Sequence, residues 1–463
     1  MTNTLYSIAK SWYISNSQLN TIDEILKWIQ DRNRTVKVEI HKVPLAKNSF
    51  WFYDYKEGCI RNQKHSFFTI TGYRKCLADG TEISQPIILQ EEIGYLGIIC
   101  QEINGVMHFL MQAKIEPGNV NKIQLSPTIQ ATKSNFTQKH GGTRPPYLDY
   151  FLNADQYEIV VDQIQSEQSS RFYKKRNRNI IIRVEEDIPL LAFHRWMTLG
   201  QIKRLMREDN LVNMDTRTVL SCIPYSQLHL SRMELLTLSD SFSDKPLFRS
   251  VFEGEEKNNL PKVYQKINNL KMFDDFCCQL VPLHQLEDWE ITEEEIVCQK
   301  PYPFKVIFCD IAIEGREVQH WTQPLFEATG IATFGLICCE ENGLLKFLVK
   351  VMPEVGCFDS VELGPTIQRE AVAFHYQEDA VNRFFCERLQ SGKGVVFDHL
   401  LSEEGGRFYH EQNRNVLIRV KKEELPELPE GYFLLDYRTL NELVQVNNTL
   451  NIQLRNLLSL LEA

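Results

Sequence analysis

The tetrapeptide Pro-Thr-Ile-Gln occurs twice, at 127–130 and at 365–368. Each copy sets a hydroxyl and an amide beside a Pro-fixed turn, Thr128 with Gln130 and Thr366 with Gln368. Groups held this way can hydrogen-bond a base edge or a sugar hydroxyl at low entropic cost, or merely satisfy loop backbone. A second stretch, Arg-Phe-Tyr-Lys-Lys-Arg-Asn-Arg-Asn at 171–179, gathers five cations around an aromatic pair. Its counterpart at 407–415 keeps Arg407, Tyr409 and Arg414. Guanidinium forks suit a diphosphate, so Arg171, Tyr173, Arg178, Arg407 and Arg414 are candidate ligand groups; a solvated charged strand end is the alternative. The stretch Arg-Glu-Val-Gln-His-Trp at 316–321 brings His320 and Trp321 together where the first copy reads Gly-Thr-Glu-Ile-Ser. That asymmetry favours the second half as the seat of a reactive pocket. Asp215 and Arg217 interrupt an apolar helical pattern, and their counterparts are Gln453 and Arg455; a structural polar network is their expected role.

These residues need elements to hold them, and the repeats are the guide. Identities recur at an offset of 238 positions through most of the chain, including Gly97 with Gly335, Asn104-Gly105 with Asn342-Gly343 and Gly118 with Gly356. So ordered a series implies duplication. We expect a first repeat over 1–225, a polar linker over 226–259 and a second repeat over 260–463. Within each, apolar runs flank an Asn-Gly hairpin signal, at 95–100 and 106–113, then at 333–339 and 344–351. Further strands are expected over 179–184 and 415–420. Helical spacing marks 20–32, 198–212 and the C-terminal run 440–461. The fold class is therefore α+β, each repeat a mixed sheet flanked by helices.

Composition sets the outer bounds. Hydrophobic residues make up 43% of 463 and charged residues 24%, enough apolar surface for sizeable cores. A net charge of −10 argues against a nucleic-acid binder, which wants a broad basic face. The twelve cysteines contain no C-x-x-C pair, so reduced thiols are expected and a metal site is not. No stretch approaches the roughly 20 apolar residues of a membrane span, and the expected location is cytoplasmic. Dinucleotide, P-loop, nucleophile-elbow and zincin signatures are missing, so no cofactor is expected.

The longest matching stretches, at 101–136, 166–179, 196–224, 316–324 and 402–415, resemble the NDP-hexose 2,3-dehydratase family of deoxysugar biosynthesis. The resemblance implies tandem Nudix-like modules, each able to hold a thymidine nucleotide, in a homodimer. The Nudix catalytic box itself is absent: Gln-Glu-Glu-Ile-Gly-Tyr at 90–95 echoes its end, but Ile87 and Ile88 stand where Arg-Glu should precede. The implied reaction is loss of water across C2 and C3 of a dTDP-4-keto-6-deoxyhexose, giving a 3,4-diketo sugar for a separate NADPH-dependent 3-ketoreductase. Under this resemblance His320 is the expected base and Tyr409 the enolate donor or leaving-group acid, with Glu403, His375 and Tyr376 as further candidates. Trp321, Arg407 and Gln368 are expected in one pocket and Arg171, Tyr173 and Gln130 in the other. A non-catalytic nucleotide-sugar binder and a Nudix-type pyrophosphohydrolase are the rival functions.

Overall fold

A computed structural model describes residues 2–48, 50–76, 82–137, 143–255, 259–273, 277–372 and 379–463. His375 and Tyr376 lie outside the described residues.

Each repeat carries a large and a small mixed sheet. The first large sheet runs in the order Glu158–Ser166, Arg176–Arg183, Gly94–Ile103, Val106–Ile115, His194–Met197. Its counterpart runs Val395–Ser402, Gln412–Lys421, Thr333–Glu341, Leu344–Pro353, then Val361–Gly364 and Tyr432–Asp436. Both hairpins turn where the Asn-Gly pairs predict. Asn104 and Gly105 take φ of 52° and 76°, and Asn342 and Gly343 take 54° and 76°, left-handed values that Asn and Gly tolerate best.

The small sheets tie the repeats together. Val38–Lys42, from the first repeat, pairs antiparallel with Phe304–Ile313 of the second, Lys42 opposite Cys309. Reciprocally, Cys277–Val281 pairs with Thr69–Cys76, Val281 opposite Gly72. The two small sheets then pack face to face, burying Trp51, Phe68 and Phe172 against Phe304, Phe326 and Phe408. Phe172 and Phe408, equivalent in the two repeats, meet with ring centroids 5.5 Å apart. A larger apolar cluster also runs through both halves, from Leu96 and Phe109 to Phe347 and Leu363.

Two sequence expectations change. The C-terminal pattern read as one helix forms two, Tyr437–Val444 and Ile452–Ser459. Asn448 takes a left-handed φ of 59°, and Asn451 then caps the second helix by accepting from the Leu454 N–H. The first repeat breaks the same way, at Asn210 and Asn213, between Leu199–Leu205 and Met214–Ser221. The stretch 226–259 contains the helices Arg232–Ser241 and Lys245–Phe252. The second buries Leu247, Phe248 and Val251, and its Ser250 hydroxyl donates to the Leu345 carbonyl. Among the described residues no helix is long and apolar enough to cross a membrane.

The helices Met214–Ser221 and Ile452–Ser459 pack together at the centre, and each sends a buried arginine to the other repeat. Arg217 Nη2 donates to the Ser402 carbonyl at 2.5 Å, and Arg455 Nη2 to the Ser166 carbonyl at 2.5 Å. Arg455 also reaches the Thr218 hydroxyl at 3.0 Å and the Leu450 carbonyl at 2.8 Å. Replacing Arg455 with Met keeps similar bulk but strands these acceptors without water. We expect Arg455→Met to cost about 2–4 kcal/mol, read as a lower denaturant midpoint, with a surface control such as Arg34→Met unchanged.

Candidate active site

A cavity of about 430 Å³ opens between the repeats, within the range of roughly 300–1,000 Å³ typical of small-molecule sites. Its walls are aromatic, with Phe50, Trp51, Phe67, Phe172 and Trp321. Its floor is charged, with Lys114, Glu116, Glu167, Lys175, Asp215 and Arg407. The first repeat supplies most of the floor, and the second supplies His320, Trp321, Glu404, Arg407 and the turn at 316–318.

Local structure explains each position. Asp215 stands in the first turn of its helix, after the cap Asn213. That cap accepts from the Thr216 N–H at 2.9 Å, and its own amide donates to Gln130 Oε1 at 3.0 Å. Glu167 follows the strand Glu158–Ser166, and its N–H donates to the Lys175 carbonyl at 3.0 Å, closing the turn that brings Lys175 alongside. Arg316 crosses from the second repeat's hairpin to donate to the Ile115 carbonyl at 2.8 Å and Glu116 at 3.0 Å. Arg407 lies over Phe67, 4.2 Å from the ring centroid, and reaches Gln90 at 3.3 Å.

Burial and crowding set the protonation states. Burial pushes the Glu167 carboxyl up to about 7, against the opposing pull of Asn177 and Lys175. Burial brings Lys175 down to about 8, partly offset by Glu167 and Glu92. Asp215 is 2% exposed; burial first, then the neighbouring Glu167, Glu404 and Glu116, raise it well above the carboxylate range. Glu116 goes the other way, because Arg316 and Lys114 outweigh its burial. Among the described residues, Glu167 Oε2, Glu404 Oε2 and Arg407 Nε are buried without a hydrogen-bond partner. The floor thus offers a carboxyl held protonated, a second poised near neutrality and an ammonium beside them, a set suited to moving protons.

The structure regroups the candidate ligand residues. Trp321 and Arg407 line the cavity with Gln130, not with Gln368. The cause is the parallel pairing of Phe408–Tyr409 with His320–Ala328, together with the reach of Arg407 to Gln90, which carries this edge onto the first repeat. Gln368 bonds Glu354 at 3.2 Å and Asn451 at 2.8 Å. Arg171 is held by Glu370 and Glu411, each at 3.3 Å. Thr128 and Thr366 splice the large sheets, accepting from the Ile99 and Ile337 N–H groups at 2.9 Å and donating to the Leu110 and Leu348 carbonyls. Arg178 and Arg414 make two-point bonds to Asp162 and Asp398 on adjacent strands. Tyr173 packs beside Tyr73, and Tyr409 stacks on His410 at 4.0 Å, both outside the cavity lining. Glu403 accepts from Gln168 at 2.6 Å and Asn413 at 2.9 Å, also away from the lining. His320 is a lining residue; its ring is 68% exposed and bonds Asp310 at 2.7 Å.

Sequence reasoning passed over Glu116, Glu167 and Glu404 and gave Asp215 a structural role. A signal was available in how the copies differ at matched positions: Lys114, Lys175 and Asp215 face Met352, Glu411 and Gln453.

Comparison with known proteins agrees with the duplication. The family model for NDP-hexose 2,3-dehydratase matches residues 22–223 and again 260–461. A dTDP-4-dehydro-6-deoxy-alpha-D-glucopyranose 2,3-dehydratase of Saccharopolyspora spinosa is 38% identical over 442 residues, 94% of this chain and 90% of that protein. Proteins with the same description from Amycolatopsis orientalis and Streptomyces violaceoruber are each 33% identical, covering 95% and 93% of this chain and 90% and 95% of their own.

The raised Glu167 has a consequence for stability. A carboxyl whose folded pKa lies above its unfolded value stabilises the fold while protonated, and that contribution fades as pH rises from 4.5 through about 7. Its size is on the order of 3 kcal/mol. Glu167→Gln should therefore melt with a flatter pH dependence than the parent between pH 5 and 8, measured by differential scanning fluorimetry.

Proposed function

The chain belongs to the NDP-hexose 2,3-dehydratase family, and from that membership we infer that it removes water across C2 and C3 of dTDP-4-keto-6-deoxyglucose. On the same reading each repeat is a Nudix-like module, the protein works as a cytoplasmic homodimer, and its 3,4-diketo product passes to a separate NADPH-dependent 3-ketoreductase. The observation that carries the reading is that one cavity joins a charged floor to aromatic walls.

The chemistry follows from the substrate. Its C4 ketone acidifies the C3 hydrogen, so a base generates an enolate whose electrons then expel the C2 oxygen. The walls offer aromatic faces for the thymine and the sugar, and the exposed Lys64 with Arg407 offers cations for the diphosphate. Glu167 is the base we assign: it is buried, carries an unpartnered oxygen and titrates near neutrality. His320, expected in that role from sequence, sits at the solvent-exposed mouth bonded to Asp310. Lys175 lies beside Glu167 as the donor for the developing O4 enolate.

Incubation with dTDP-4-keto-6-deoxyglucose tests the reading. Loss of one water, with a trappable diketone, supports it; release of dTMP would reveal a pyrophosphohydrolase, and intact substrate with measurable affinity a binding protein. In D2O, Glu167→Gln should lose C3 hydrogen exchange by about 100-fold or more, while His320→Asn stays within a few-fold of the parent. The kcat/KM profile should be a narrow bell, rising as Glu167 ionises near 7 and falling as Lys175 loses its proton near 8.

A further inference from the structure

Expulsion of the C2 hydroxyl needs a proton donor as well as a base, since hydroxide is a poor leaving group. We propose that Asp215 is this catalytic acid, delivering its proton to the C2 oxygen from the cavity floor while Glu167 works at C3. The assignment rests on the dehydratase reading of the site.

Three observations carry it. Asp215 lines the cavity, yet the residue is only 2% exposed. Among the described residues no group hydrogen-bonds its carboxyl, although the cap Asn213 next to it is fully engaged with Thr216 and Gln130. A buried carboxyl left without a partner is costly unless it is neutral or meets a ligand. Glu116, Glu167 and Glu404 favour its protonated form and Lys114 opposes them, while those three carboxyls have cations of their own in Arg316, Lys175 and Arg407. Like charges this close keep a proton on one of the group.

The duplication supplies an internal control. The floor glutamate is present in both copies, as Glu167 and Glu403, but Asp215 is matched by Gln453, whose amide reaches Glu403 at 3.5 Å. The helix cap is retained as Asn213 and Asn451, and the interior arginine as Arg217 and Arg455. The fold therefore accepts an amide at this position, and the acid occurs in the copy whose floor opens into the cavity.

The step balances without any redox partner. Glu167 takes the C3 hydrogen as a proton, and the C3–H electrons form the enolate. The enolate oxygen then re-forms the C4 carbonyl, a C2–C3 double bond forms, and the C2–O bond breaks with its electron pair on oxygen. The proton from Asp215 completes the departing water. The remaining enol becomes the diketone when C2 gains a proton and O3 gives one up, which resets both carboxyls if Glu167 gives the first and Asp215 takes the second.

The test uses the full-length Asp215→Asn protein, in D2O, with dTDP-4-keto-6-deoxyglucose and with its 2-deoxy-2-fluoro analogue, whose fluoride leaves with little need of an acid. We expect water loss to fall by about 100-fold or more, C3 exchange to stay near the parent rate, and fluoride release to fall by less than about 10-fold. Retained fluoride release also shows that the variant folds and binds. Water loss at the parent rate would overturn the assignment. So would an equal fall in water loss, exchange and fluoride release, which a purely structural role predicts. A parent protein that leaves the natural sugar intact would overturn the dehydratase reading itself, and this inference with it.

Discussion

Each repeat lends the other one strand, and the placement of the site depends on that exchange. Val38–Lys42 and Cys277–Val281 cross in opposite directions, so neither small sheet is complete without the other half of the chain. The exchange presses the two small sheets together over the Phe172–Phe408 contact and leaves little room for either to shift. Close backbone approaches reinforce it. A Cβ on Gly118 would fall 1.6 Å from the Phe408 carbonyl oxygen, and one on Gly356 would fall 2.1 Å from that of Phe172. Only glycine fits where the two segments cross this closely.

With that geometry fixed, the duplicated parts diverge in chemistry more than in shape. At the first floor, cations and carboxyls line a cavity. At the matching position in the second repeat the groups are tied to one another, Gln368 with Glu354 and Asn451, Arg171 with Glu370 and Glu411. The exchange of Lys175 for Glu411 is instructive. The lysine places an ammonium in the cavity lining, donating to the Glu92 carbonyl, whereas the glutamate captures Arg171, the residue equivalent to Arg407. One scaffold thus opens a cavity lined by cations and carboxyls in one copy and, in the other, holds the matching groups against one another.

Much of this was legible in the chain. Hairpins at Asn104-Gly105 and Asn342-Gly343 were readable because a turn residue's backbone preference is local. The duplication was readable because it needs only self-comparison. The strand exchange was not, since Val38–Lys42 carries no mark of which half it will join; pairing partners at a separation of some 270 residues are set by the assembled sheets. The site followed the same division. Trp321, Arg407 and Gln130 were chosen from their side chains and line one cavity, but which of them share it depends on the exchange, and the sequence had paired Gln130 with Arg171 and Tyr173 instead. Glu167 and Asp215 looked ordinary in sequence because what distinguishes them is burial beside one another.

On the proposed function, one cavity built from both repeats does the chemistry on its first-repeat floor. A crystal structure with an unreactive analogue of dTDP-4-keto-6-deoxyglucose tests this most directly. The hexose ring should lie against Glu167 and Asp215, with Trp321 and Arg407 touching the same molecule from the other repeat. A hexose seated instead on Gln368, Glu403 and Gln453, with the first floor empty, would contradict it.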